Sequence, residues 1–189
     1  MKRNLISPLL LGTCLICSPA VEAKATATRL CVAPDCSRIE IRVSFEAGAD
    51  AGKPGAFGVL ATTRENSPKT GVGNAAYWTT SGGWLPLRHG ELVSPATPFF
   101  ARLPGSKEYV IFEGTKEDIC RLSQDRSFNV FAWHVGLSQS QFQGIESFMS
   151  KYEIDGWQAD NLLNSVLFYE ANKQRKVSLV YTVTCPSGK

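Results

Sequence analysis

The sequence predicts an α+β domain, an antiparallel β-sandwich or curved sheet with two helices in its C-terminal half and a closing strand. Three observations point there. Residues 38–46 alternate apolar and polar, with Ile39, Ile41, Val43 and Phe45 on one face and Arg38, Glu40, Arg42 and Ser44 on the other, the period of two of a half-buried strand. After Ser138 the period changes, so that Phe142, Ile145, Phe148, Met149 and Tyr152 recur at helical spacings of three and four. Four cysteines, Cys31, Cys36, Cys120 and Cys185, follow an apolar leader, the pattern of an exported domain braced by disulfides.

Residues 1–23 read as a signal peptide. Lys2 and Arg3 supply the positive start, Leu5 to Ser18 the apolar stretch and Val21-Glu22-Ala23 a small-x-small cleavage site. The apolar stretch is broken by Ser7, Pro8, Gly12 and Thr13 and is shorter than the roughly 20 residues that cross a bilayer, so no stable membrane span is expected after cleavage. A lipidated Cys14 would follow Thr13, a poor residue at that place. Residues 24–189 are then one disulfide-braced, β-rich domain, with a helical insertion at about 138–172.

Further strands are expected over 56–62, 75–80, 83–87, 99–103, 108–112, 128–135 and 177–184, separated by turn signals such as Lys53-Pro54-Gly55, Ser81-Gly82-Gly83 and Pro104-Gly105. The first helix begins at a capping box on Ser138 or Ser140 with Gln three residues on. The second runs from about Trp157 to Asn172, with Leu162, Leu163, Val166 and Tyr169 on one face and Asp155 and Gln158 at its start. Four cysteines allow three pairings; Cys31–Cys36 and Cys120–Cys185 are expected, because Pro34-Asp35 turns the chain between the first two. The second bridge closes a loop long enough to stabilise by roughly 4 or 5 kcal/mol.

Several chemistries are tested and set aside. A net charge of +3 with no basic run longer than Lys173-Gln174-Arg175-Lys176 leaves no nucleic-acid footprint. The four cysteines fit no zinc spacing, and no metal site is expected. Gly71-Val72-Gly73-Asn74-Ala75-Ala76 has the glycines of a dinucleotide fingerprint but no strand before it and no helix after, so no cofactor is expected. Gly136-Leu137-Ser138-Gln139-Ser140 stands where a nucleophile elbow would, yet it lacks the final Gly and no His follows it; Ser138 reads as a helix cap. His89 falls in a turn. His134 shares a strand face with Phe128, Val130 and Ala132 and reads as partly buried.

Aromatic residues crowd the middle of the chain: Tyr77, Trp78, Trp84, Phe99, Phe100, Phe131 and Trp133. Adjacent ones on a strand point to opposite faces, so part of the set lies outside a single core. Trp78, Trp84 and Trp133 are the candidate contacts for an envelope protein or glycan, since aromatic side chains offer large contact area for little entropy; the competing reading places the aromatics in the core.

Residues 57–137 resemble an uncharacterised β-domain of proteobacterial cell-envelope proteins. The shared features are Phe57-Gly58-Val59-Leu60, an aromatic strand running into Thr79-Thr80-Ser81-Gly82-Gly83-Trp84-Leu85-Pro86, a spaced pair of prolines and a late strand ending Val135-Gly136-Leu137. The resemblance implies a β-sandwich displayed in the envelope and carries no activity or site residues. The expected function is a non-catalytic periplasmic or secreted binding or assembly protein of the bacterial envelope. Two alternatives are a small envelope-polymer hydrolase using His134 with Glu113 or Asp118, and an inhibitor or immunity protein presenting residues 64–74.

Overall fold

The computed structural model describes residues 24–63, 75–87, 92–123 and 126–186. In chain order these form β1 (Lys24–Cys31), β2 (Ile39–Glu46), β3 (Gly55–Thr63), β4 (Ala75–Thr79), β5 (Gly83–Pro86), β6 (Ser106–Gly114), α1 (Lys116–Leu122), β7 (Phe128–Gly136), α2 (Gln139–Lys151), α3 (Gly156–Lys173) and β8 (Val177–Val183). The strands make two antiparallel sheets, β1-β2-β6 and β5-β4-β3-β7-β8. The α+β class and the closing strand are as expected.

The alternation in β2 sets the first layer. Ile39, Ile41, Val43 and Phe45 are buried against Phe57 and Val59 of β3, Tyr109 and Ile111 of β6, and Phe128, Val130 and Ala132 of β7. On the other face of the five-stranded sheet, Ala56, Trp133 and Val135 pack with Leu167 and Ala171 of α3. β3 and β7 are therefore covered on both sides, which is why their apolar runs do not alternate. Between these two strands Gly58 stands opposite Trp133. A Cβ on Gly58 would lie 2.1–2.4 Å from the indole, so the ring occupies the space that any larger residue would need.

The expected strand at 99–103 is not formed. Phe100 makes one bridge to Gly55, with N–H···O distances of 2.9 Å in each direction. The neighbouring bonds run from Ala96 to Phe57 and from Leu103 to Lys53, both 2.8 Å. Residues 96, 100 and 103 thus serve a β3 edge that β4 does not reach, but their spacing exceeds the two-residue step of a ladder, and the chain bows between bonds. Phe99 and Phe100 still point apart, Phe99 stacking on Phe142 of α2 at 5.0 Å and Phe100 meeting Phe57 at 5.8 Å.

Two elements were not expected. β1 alternates Ala with Thr and Arg, too little apolar area to register as a strand. α1 is 7 residues long, held at its start by a capping box in which Thr115 and Asp118 bond reciprocally. It adds a third helix to the C-terminal half. α2 begins at Ser138, whose hydroxyl accepts the Gln141 N–H at 3.2 Å while the Gln141 side chain accepts from Ser138 N–H at 2.8 Å. Asp155 takes the N-cap position of α3 without a side-chain cap bond.

Both expected disulfides are present. Cys31–Cys36 closes the turn between β1 and β2, and Cys120–Cys185 ties α1 to the segment after β8 across 65 residues of sequence. The chain-entropy relation assigns about 2 kcal/mol to the short loop and about 4 to the long one, and Cys120 and Cys185 are also buried. The Cys120→Ser/Cys185→Ser variant is thus expected to lose about twice the stability lost by Cys31→Ser/Cys36→Ser. Urea unfolding of the two variants checks the order.

Candidate functional site

The three candidate tryptophans are mostly used up in packing. Trp133 is fully buried under α3, edge-on to Phe168 at 5.6 Å. Trp78 lies in the inter-sheet core, 9% exposed, its ring 5.3 Å from Tyr109. Trp84 is half-buried, and its Nε1 donates to the Ile111 carbonyl at 2.8 Å, pinning β5 to β6 across the gap between the sheets. The expectation of a contact face made by these three is corrected. A sheet covered on both sides draws Trp78 and Trp133 inward, and Trp84 keeps only partial exposure.

The polar side chains converge at one end of the sandwich. Asp50, in a 3-10 turn (Gly48–Asp50), is 3% exposed. Its carboxylate accepts from Lys53 Nζ at 2.9 Å, from Lys176 Nζ and from the Gly136 N–H at 3.1 Å. Burial alone would raise its pKa, but the hydrogen bonds from Lys176 and Lys53 outweigh this and hold it below the usual value. The carboxylate fits because position 136 has no side chain: a Cβ there would sit 2.7 Å from the Asp50 Cβ. One anion so joins the 3-10 turn, the end of β7 and the start of β8.

His134 lies beside this clasp, 2% exposed, and among the described residues neither ring nitrogen has a hydrogen-bond partner. Burial, then the nearby Lys176 charge, lowers its pKa from 6.5 to about 4, against a smaller opposing pull from Asp50. It is therefore a neutral imidazole near neutral pH, shut away from solvent.

The carboxylates expected to serve His134 are elsewhere. Glu113 pairs with Arg38 at 3.1 Å, and Asp118 caps α1 through Thr115. Both stand at the end of the sandwich where Ile119, Cys120 and Phe128 pack together. Phe128 and His134 are six strand residues apart, about 20 Å, so the structure does not bring these groups together. His89, the loop at 64–74 and Gly71–Asn74 of the glycine motif lie outside the described residues. Ser138 is a helix cap, as expected.

The open aromatic surface is on the helices. α2 has no fully buried residue. Its first half is anchored, with Phe142 and Ile145 packed on the helix-side core, but Phe148 and Tyr152 are 48% and 57% exposed, their rings 4.7 Å apart. After a turn with positive φ at Glu153 and Gly156, Trp157 opens α3 at 70% exposure. The helical stripe that placed Phe148 and Tyr152 on one face was legible in the sequence. What escaped was that the sheet covers only the first half of that stripe. Among the described residues no helix is long and apolar enough to cross a membrane.

His134 makes stability depend on pH. Its folded pKa is below the unfolded value, so the unfolded chain binds the proton first and stability falls as pH drops from about 6.5 towards 4. Between about pH 7.5 and about pH 5 the loss is roughly 2 kcal/mol. His134→Gln is expected to flatten this difference in urea unfolding at the two pH values, whatever its own cost at pH 7.5. No protein-family profile, curated protein or solved structure matches this chain.

Proposed function

We propose that this chain is a non-catalytic binding or assembly protein of the bacterial envelope, exported to the periplasm or beyond it, which engages an envelope protein or glycan through the aromatic tip of its helical pair. The observation that carries the reading is the exposure of Phe148, Tyr152 and Trp157 together at the α2–α3 turn. Large rings left partly in water at the end of a helix pair supply contact area at low entropic cost. Exposed polar residues stand near them in sequence, Glu146, Lys151, Glu153 and Asp155, a composition that suits a contact rim.

Export is supported by the leader-like residues 1–23 and by the two disulfides, bonds that persist in oxidising compartments. The envelope setting also fits the resemblance of residues 57–137. A catalytic reading finds less support: Asp50 is engaged in its clasp and His134 is shielded from solvent beside it.

The Phe148→Ala/Trp157→Ala variant tests the proposal. Both side chains are exposed, so the unfolding free energy from urea titration is expected to change by no more than about 0.5 kcal/mol. Capture of envelope proteins in situ by crosslinking, and of isolated cell-wall glycan by sedimentation, is expected to fall at least tenfold for one of the two. Capture of both at the wild-type level would overturn the assignment of the tip, and a mature chain retaining residues 1–23 would overturn export.

A further inference from the structure

α3 carries two apolar faces, and the described chain packs one of them. Leu163, Leu167, Phe168 and Ala171 join Trp133 and Val135 on the helix side of the five-stranded sheet. Leu162, Val166 and Tyr169 make up the other face. They fall within about 60° of one another at about 100° per residue, with Leu167 and Ala171 on the far side of the helix. Among the described residues neither buried cluster takes in these three. Leu162 and Val166 are half-buried, and Tyr169 is 65% exposed. A helix that is apolar all round is normally buried on every side, so the outer stripe calls for a second layer.

The charges along α3 indicate what that layer is. From Ile154 to Asn172 the sequence has no lysine or arginine, and Asp155 and Asp160 stand at the start of the helix. Lys173 and Arg175 stand at its end, and all four are exposed. A helix lying antiparallel on this face must bring a basic end to Asp155, an acidic end to Lys173 and an apolar middle to Val166. α3 has that order itself. About a two-fold axis near Val166, Leu162 of one copy meets the partner's Tyr169, the two Val166 side chains meet each other, and Asp155 comes within one turn of the partner's Lys173. The helix dipoles then oppose, each end facing its opposite.

We propose that α3 is the contact between two copies of this chain, packed antiparallel through Leu162, Val166 and Tyr169. The contact is isologous, so it closes at two copies. An 18-residue helix is about 27 Å long and about 10 Å across, a strip smaller than the roughly 800 Å² that each partner contributes to a stable complex. The dimer is therefore a weak one, with a Kd on the order of 100 µM. The rings of Phe148, Tyr152 and Trp157 take no part in it, and the proposal is independent of the aromatic tip.

Sedimentation equilibrium of the full exported chain, from about 10 µM to about 1 mM, tests it. The expected result is a monomer–dimer equilibrium. Tyr169→Glu places a charge in the apolar stripe and is expected to weaken the dimer by at least about tenfold; the side chain is exposed, so an unchanged urea midpoint certifies the variant. Lys173→Glu sets a carboxylate near the partner's Asp155 and is expected to weaken the dimer by about threefold, and Asp155→Lys/Lys173→Glu to restore the wild-type constant. A parallel pair would gain nothing from that double reversal. A chain that stays monomeric up to about 1 mM overturns the proposal, since the stripe then serves some other segment or molecule. A dimer indifferent to Tyr169→Glu forms through another surface and overturns it too, as does a double reversal that restores nothing.

Discussion

Cover on both faces of the β3–β7 pair is the constraint from which the rest follows. Phe57 and Val59 look toward the three-stranded sheet, and Ala56, Trp133 and Val135 toward α3. A strand pair with two apolar faces is stable only as the middle of three layers. The second sheet supplies one layer and α3, with the first half of α2, the other. The indole of Trp133 set against Gly58 shows how closely the layers meet. Large rings in the middle of the chain are consumed by this arrangement, and the rings that remain open are those on the helices beyond the sheet.

The end of the sandwich near β7 is closed by charge instead of hydrocarbon. Asp50 is almost wholly removed from water, and three donors from three different segments compensate it. Removing one partner of such a group costs far more than the net value of the pair. His134 beside it stays neutral near neutral pH because burial disfavours its charged form and Lys176 stands nearby. His134, which the sequence offered as a general base with Glu113 or Asp118, is enclosed by this packing at 2% exposure.

Much of this architecture could be read from residue order, and the failures have identifiable causes. The period-two pattern of β2, the turn residues flanking the strands, the Ser138 capping box and the pairing of the cysteines are local signals, and each appears in the fold. β1 was hidden because Ala and Thr carry too little apolar area, and α1 because 7 residues cannot display a helical period. The strand expected at 99–103 failed for a tertiary reason: that segment serves a β3 edge whose bonds are spaced too widely for a ladder. The site was less legible than the fold. Whether Trp78, Trp133 or Trp157 meets solvent depends on which faces are covered, and coverage is a property of layers that no window of sequence reports.

The closing strand has a further consequence. β8 lies at the margin of its sheet, bonded among the described strands to β7 alone, the position from which strands are most readily exchanged between copies of a protein. It is fastened at both ends, by Lys176 to Asp50 on one side and by Cys185 to Cys120 on the other. A tethered strand of this kind cannot be swapped out or displaced by an incoming one while the covalent link holds. Any complex the folded chain enters along this margin therefore adds to the open edge or docks beside it, with β8 keeping its own place in the sheet.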